Sequence, residues 1–146
     1  MTDQEHFEKL KNMYLKAPIN QDVFVRSEMK IEDGFCEIHY PIDKKLFHAG
    51  GGLHGAIYFK LLDDSAYFAA ATKVRDTFLL TKSYEIQFLR PITDGEVVAT
   101  GRFVSQEGRE LMAKSVLTVD GKLVGKGSGV FAYSKKPLNE EVGYWD

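Results

Sequence analysis

The chain has 146 residues, about one domain's worth, and 44% of them are hydrophobic, enough for a core that needs neither disulfides nor a structural metal. Nineteen Lys and Arg against twenty-one Asp and Glu leave a formal charge of −2, without the cationic excess that binding to a nucleic-acid backbone draws on. The one cysteine, Cys36, cannot form an internal bridge, which predicts a reducing, cytoplasmic setting, and no apolar run reaches the ~18 residues of a membrane span.

Phe7, Leu10, Met13 and Tyr14 recur at helical spacing and predict a helix over about 3–16, with Thr2 or Asp3 as its cap and Pro18 as its stop. The acidic start of the chain, with no apolar stretch behind it, predicts a protein that is not exported. From Val23 to Tyr40 the pattern turns to strand, and Glu32-Asp33-Gly34 reads as the turn of a hairpin. An irregular stretch, Pro41 to Leu53, ends in Gly50-Gly51-Gly52. Gly55 to Thr72 then reads as a helix apolar on almost every turn, which predicts that it is buried at the centre of the domain.

The rest is strand. In Phe78–Phe88 the even positions Phe78, Leu80, Tyr84, Ile86 and Phe88 predict one apolar face, with Thr81, Ser83, Glu85 and Gln87 on the other. Glu96–Ser105 and Arg109–Val119 follow, and Val119-Asp120-Gly121-Lys122 signals a tight hairpin into a last strand through Phe131. The tail, 135–146, reads as polar and loosely held, with Tyr144 and Trp145 as residues able to dock. The order predicts one α+β domain over 1–146, a single central helix lying against one antiparallel sheet.

Chemistry concentrates where the glycine loop meets the central helix. Free N–H groups at a helix N-terminus favour an anion or a developing oxyanion, and Gly55 has no side chain to keep a substrate away. Asp63 shares a helical stripe with Phe59, Ala66 and Ala70, whereas Asp64 falls four residues after Lys60, as in an ordinary surface ion pair. An acid on an apolar stripe is costly unless it is paired, hydrated or at an interface, so Asp63 is either bonded within a structural network or a site carboxylate. His54 fits a capping residue as well as a functional one. The glycine run lacks the lysine and hydroxyl residue of a phosphate loop. His48, His54 and Asp63 have no zinc-ligand spacing, so neither metal nor cofactor is expected.

His54-Gly55-Ala56, with Leu61 seven and Asp63 nine residues after the histidine, resembles the His-Gly-Gly…Leu-x-Asp pattern of hotdog-fold acyl-CoA thioesterases, especially the phenylacetic-acid-pathway type. The strand Thr81–Phe88 and the corner Leu89-Arg90-Pro91 resemble that family too, and the likeness spans about residues 20–134. It implies an antiparallel sheet wrapped around a long central helix, assembled as a homodimer or as a tetramer of paired dimers. It further implies an acyl-CoA substrate, with the Gly55 N–H polarising the thioester carbonyl and Asp63 of the neighbouring subunit as general base or nucleophile. His54 would shape the loop, and Thr81 stands where some relatives carry a water-positioning serine. Two positions depart from the pattern: Ala56 replaces the second glycine, and His48 stands where relatives often carry asparagine or glutamine. His48, Leu53, Tyr58 and Phe59 are the candidate substrate contacts; the resemblance implies Lys or Arg near the coenzyme A phosphates, and Arg90 and Lys82 are weakly marked candidates for them. A non-catalytic acyl-thioester binder and a hotdog dehydratase or hydratase are the competing readings.

Overall fold

The computed structural model describes residues 1–22, 24 and 26–145. Val23 and Val25, the expected start of the first strand region, and Asp146 lie outside the described residues. Helix α1 (Asp3–Lys16) begins at Thr2, whose hydroxyl accepts from the Glu5 N–H while the Glu5 carboxylate accepts from the Thr2 N–H, so two orphan donors are met reciprocally. Its buried stripe is His6, Leu10, Met13 and Tyr14. Pro18 ends α1 and also opens a short helix α2 (Pro18–Asp22), since proline lacks a donor only where a first turn needs none.

Strands β1 (Glu28–Glu32) and β2 (Phe35–Pro41) form the expected hairpin around Asp33-Gly34. A 3₁₀ turn at Lys44–Leu46 and the glycine loop lead into helix α3 (Gly55–Ala71), then strands β3 (Thr77–Phe88), β4 (Glu96–Glu107), β5 (Glu110–Val119) and β6 (Lys122–Pro137). All six strands join one antiparallel sheet in the order β1-β2-β4-β5-β6-β3. Helix α3 buries Leu61, Leu62, Ala66, Ala69 and Ala70 against the inner face, where they meet Ile38, Val97, Ala99, Leu111 and Leu117. This is the α+β arrangement the sequence predicts. Because α3 carries the chain across the sheet, β3 lands at the far side, pairs with β6 and leaves its other edge unpaired among the described residues.

Three expectations change. The apolar alternation in β3 is not continuous, because the pairing with β6 shifts between Thr81 and Ser83. The bulge reverses the faces: Leu79 is 1% exposed and Leu80 55%, and Thr81 turns toward α3 together with Tyr84 beyond the bulge. The last strand also continues past Phe131 to Pro137, and the tail is held rather than loose, with Tyr144 7% exposed. No helix among the described residues is long and apolar enough to cross a membrane.

Candidate active site

The glycine loop closes on His48. Its N–H donates to the Gly52 carbonyl (2.9 Å), its carbonyl accepts from the Gly51 N–H (3.1 Å), and its Nδ1 accepts from the Gly50 N–H (3.0 Å). The loop's exit is tied down by Leu53 N–H to Ile92 O (2.8 Å) and His54 N–H to Leu46 O (3.0 Å). His54 is the N-cap of α3, its Nδ1 accepting from the Ala56 N–H at 2.9 Å, so the ring hydrogen sits on Nε2. The Ile57 N–H bonds back to the His54 carbonyl (2.9 Å). Among the described residues nothing accepts from the Gly55 N–H, which therefore stands free at the positive end of a 17-residue helix.

Asp63 lies two turns further along α3, and its placement is fixed by the sheet. The Leu62 carbonyl accepts from the Ser115 hydroxyl (2.7 Å) and the Tyr84 hydroxyl (3.1 Å), which pins the helix backbone one residue before the acid. Thr81 Oγ1 then donates to Asp63 Oδ1 at 2.9 Å. Burial pushes the Asp63 carboxyl up to about 6, against the Thr81 hydrogen bond, with the neighbouring Asp64 charge adding to the rise. Asp63 and Thr81 border an open groove of about 1300 Å³ together with Phe59, Tyr67 and Phe78. Neither Tyr84 nor Ser115 was singled out from the sequence. Ser115 alternates with Ala113 and Leu117 on the buried face of β5, and a hydroxyl among those apolar positions was the available signal.

The eight sequence candidates do not share one surface of this chain. Asp63, Thr81 and Phe59 border the groove, and Gly55 and His54 stand at the start of α3. His48 is committed to its own loop. Leu53 (3% exposed) and Tyr58 (4%) are core residues, and the Tyr58 hydroxyl donates to the Arg90 carbonyl (2.7 Å). Lys82 pairs with Glu110.

The ion pair of Lys60 with Asp64 is not an ordinary surface pair. Its side chains are 12% and 21% exposed, and the Lys60 ammonium sits 4.5 Å from the Phe24 ring centroid and 5.4 Å from that of Tyr14. Burial raises the Asp64 carboxyl against the pull of Lys60. Removing the acid strands a cation in an aromatic cage. Asp64→Ala should therefore lower stability by about 1–3 kcal/mol, between the costs for exposed and buried pairs, read as a shift of the urea midpoint. A midpoint equal to wild type would restore the surface-pair reading.

Among the described residues no group of three His, Cys, Asp or Glu could hold a metal ion. The sequence profile of the thioesterase superfamily matches residues 50–124, from the glycine loop through α3, β3, β4 and β5 to the start of β6. The chain belongs to the thioesterase superfamily. A protein of Saccharolobus solfataricus with a provisional esterase name is 30% identical over 115 residues, which are 76% of this chain and 75% of that one. The PaaI protein of the phenylacetic acid degradation operon of E. coli superposes with a TM-score of 0.81 at 15% identity, over 95% of this chain and 100% of that chain. A thioesterase family protein from Silicibacter pomeroyi superposes at 0.78 with 19% identity, over 87% and 96%. These two likenesses show the shared fold, the hotdog architecture, and membership of the thioesterase superfamily supports hydrolase chemistry in general terms.

Proposed function

We propose that this chain hydrolyses acyl-CoA thioesters at a site shared by two protomers, in a reducing, cytoplasmic setting. The observation that carries the reading is Asp63: a half-buried carboxylate, oriented by Thr81, raised to about 6 and bordering an open groove. Such a group is charged at neutral pH yet retains enough proton affinity to act as a base. Asp63 removes a proton from water as the water oxygen bonds to the thioester carbon. The carbonyl oxygen gains the charge and meets the Gly55 N–H, then the C–S bond breaks and the thiolate recovers the proton from Asp63. A carboxylate attacking directly would form an anhydride that water then opens, with the same products.

Within one chain Gly55 and Asp63 stand eight residues apart on α3, about 12 Å along its axis, too far to act on one carbonyl. A second copy supplies the missing group. The unpaired edge of β3, with Phe59, Leu80 and Phe88 exposed beside it, is the surface through which a homodimer would form, and paired dimers would give a tetramer.

Gly55→Pro and Asp63→Asn test the shared site together. Position 55 is the first of α3, where proline is tolerated, His54 already has the extended backbone (ψ 141°) that a following proline requires, and the one close neighbour of a Cβ there, the exposed Phe88 ring at 3.3 Å, is free to turn aside. The substitution deletes the one N–H and leaves the helix, so turnover of an acyl-CoA panel should fall about 10²–10³-fold. Mixing the two inactive proteins through reversible dissociation should restore about a quarter of the wild-type rate, because half of the dimers are hybrids and each hybrid holds one intact site. No recovery, with hybrids shown to form, would rule out the shared site. Product analysis separates the other readings: a binder releases no thiol, and a hydratase or dehydratase adds or removes water on the acyl chain.

A further inference from the structure

The groove beside Asp63 is walled by both ends of the chain. Beside the Asp63–Thr81 bond its lining includes Tyr67 and Phe78, together with Met13 and Ile19 from the start of the chain and Trp145 from its end. The segments carrying Met13, Ile19 and Trp145 lie outside the span that matches the thioesterase superfamily. The part matched by the superfamily profile therefore supplies the carboxylate, and the two ends of the chain shape the space next to it.

The tail is fastened where it is by specific contacts. After β6 a 3₁₀ turn (Glu140–Val142), capped by Asn139, leads to Gly143, where the backbone takes a φ of +81°. A Cβ at Gly143 would stand 3.3 Å from Lys16 Cβ and 3.4 Å from Met13 Cα, so glycine meets both the left-handed turn and the close approach to α1. Tyr144 then reaches His6, a fully buried ring with Nε2 3.0 Å from the Ala71 carbonyl and Nδ1 2.6 Å from the Tyr144 hydroxyl. The Ala71 carbonyl can only accept, so Nε2 carries the hydrogen and Nδ1 accepts from tyrosine. Desolvation lowers the His6 pKa and favours this neutral form. Asn12 Nδ2 donates to the Trp145 carbonyl at 2.8 Å. One histidine thus joins α1, the end of α3 and the tail, and Trp145 is held against the groove while 38% exposed.

Resting on the thioesterase reading above, we propose that the folded-back tail is the end wall of an acyl-chain groove and that Trp145 sets how long a straight-chain acyl group this protein accepts. With the thioester carbonyl beside Asp63, the apolar acyl chain suits the trough's mainly apolar surface, with Tyr67, Phe78 and Ile19 in its lining, better than the amide-bearing pantetheine arm does. The trough is lined both by α3 and by the tail, so a chain lying in it from Asp63 would reach Trp145. Each methylene buried there is worth about fourfold in kcat/KM, until the chain meets the indole.

The test is a series of straight-chain acyl-CoAs from four to sixteen carbons, with kcat/KM measured for wild type, Trp145→Ala, Ile19→Trp and Tyr144→Phe. Opening the end wall should raise the ratio of long-chain to short-chain kcat/KM about tenfold or more, and narrowing the side wall should lower it. Tyr144 does not line the groove, so Tyr144→Phe acts only by loosening the tail and should move the ratio in the same direction as Trp145→Ala, by less. Active variants whose ratios all stay within about twofold of wild type would overturn the role of the tail and leave thioester hydrolysis standing. Wild-type protein inert toward every straight chain would overturn the chain-length role, and inert toward aromatic and branched acyl-CoAs as well it would overturn the thioesterase reading, so the wild-type assay tells the two failures apart.

Discussion

Asp63→Asn should lower kcat about 10²–10⁴-fold and, at neutral pH, make the protein more stable. Asparagine keeps the shape and can still accept from Thr81, but it cannot take a proton from water. The stability gain follows from the raised pKa. Below about pH 3 the carboxyl is protonated in both folded and unfolded chains, and the substitution changes little. Between 3.8 and about 6 the unfolded chain has released its proton while the folded chain still holds it, so native stability falls as pH rises. Above about 6 the cost is complete, at most about 3 kcal/mol and less for the part of the group that water still reaches. The difference in urea unfolding free energy between Asp63→Asn and wild type should thus be near zero at about pH 3, grow between pH 4 and 6 and reach a plateau above pH 6–7. In the wild type, kcat/KM should rise with pH through the same region as the base deprotonates. A difference in stability that is flat with pH, or an asparagine variant that keeps its activity, would mean that Asp63 is an ordinary network acid.

The same acid shows which parts of the molecule the sequence carries openly. Its place on an apolar stripe of α3 follows from 3.6-residue spacing, and local chemistry is equally open: the Thr2 cap, the Asp33-Gly34 hairpin and the Asp120-Gly121 turn all form where their residues stand. What period-two counting could not reach was the bulge at Thr81–Ser83, since an inserted residue leaves the composition of a strand unchanged and reverses which face each later residue takes. That one residue is why Thr81, itself still exposed, faces Asp63. The Lys60–Asp64 pair was misjudged for a related reason: spacing along a helix gives the partner, but α1 and the segment carrying Phe24 decide whether water reaches it. His6 was hidden likewise, because its partners are 65 and 138 residues away.

Gly101→Ala should leave no stable native fold, and the reason is again a contact between distant segments. Gly101 lies on the inner face of β4, paired with Cys36 of β2 and Ser115 of β5, at the point where α3 crosses the sheet. A Cβ there would sit 2.0 Å from the Ser65 carbonyl oxygen, 2.2 Å from its carbon and 2.6 Å from the Ala66 nitrogen. Overfilling a core by a methyl group usually costs about 1–3 kcal/mol because side chains can give way, but here the neighbour is the helix backbone, which has no rotamer to change. Relief requires lifting α3 as a body, which separates the Leu62 carbonyl from the Ser115 and Tyr84 hydroxyls and pulls Asp63 off Thr81. Two residues earlier on the same face, Ala99 is fully buried with its methyl accommodated, so the intolerance belongs to the crossing point and not to the strand. Circular-dichroism melting should show no cooperative transition for Gly101→Ala, and adding Ser65→Gly or Ala66→Gly should not rescue it, since both leave the offending peptide group in place. A melt within a few degrees of wild type would mean that α3 is not seated on the sheet at this point, and with it would go the account of how the carboxylate is aimed.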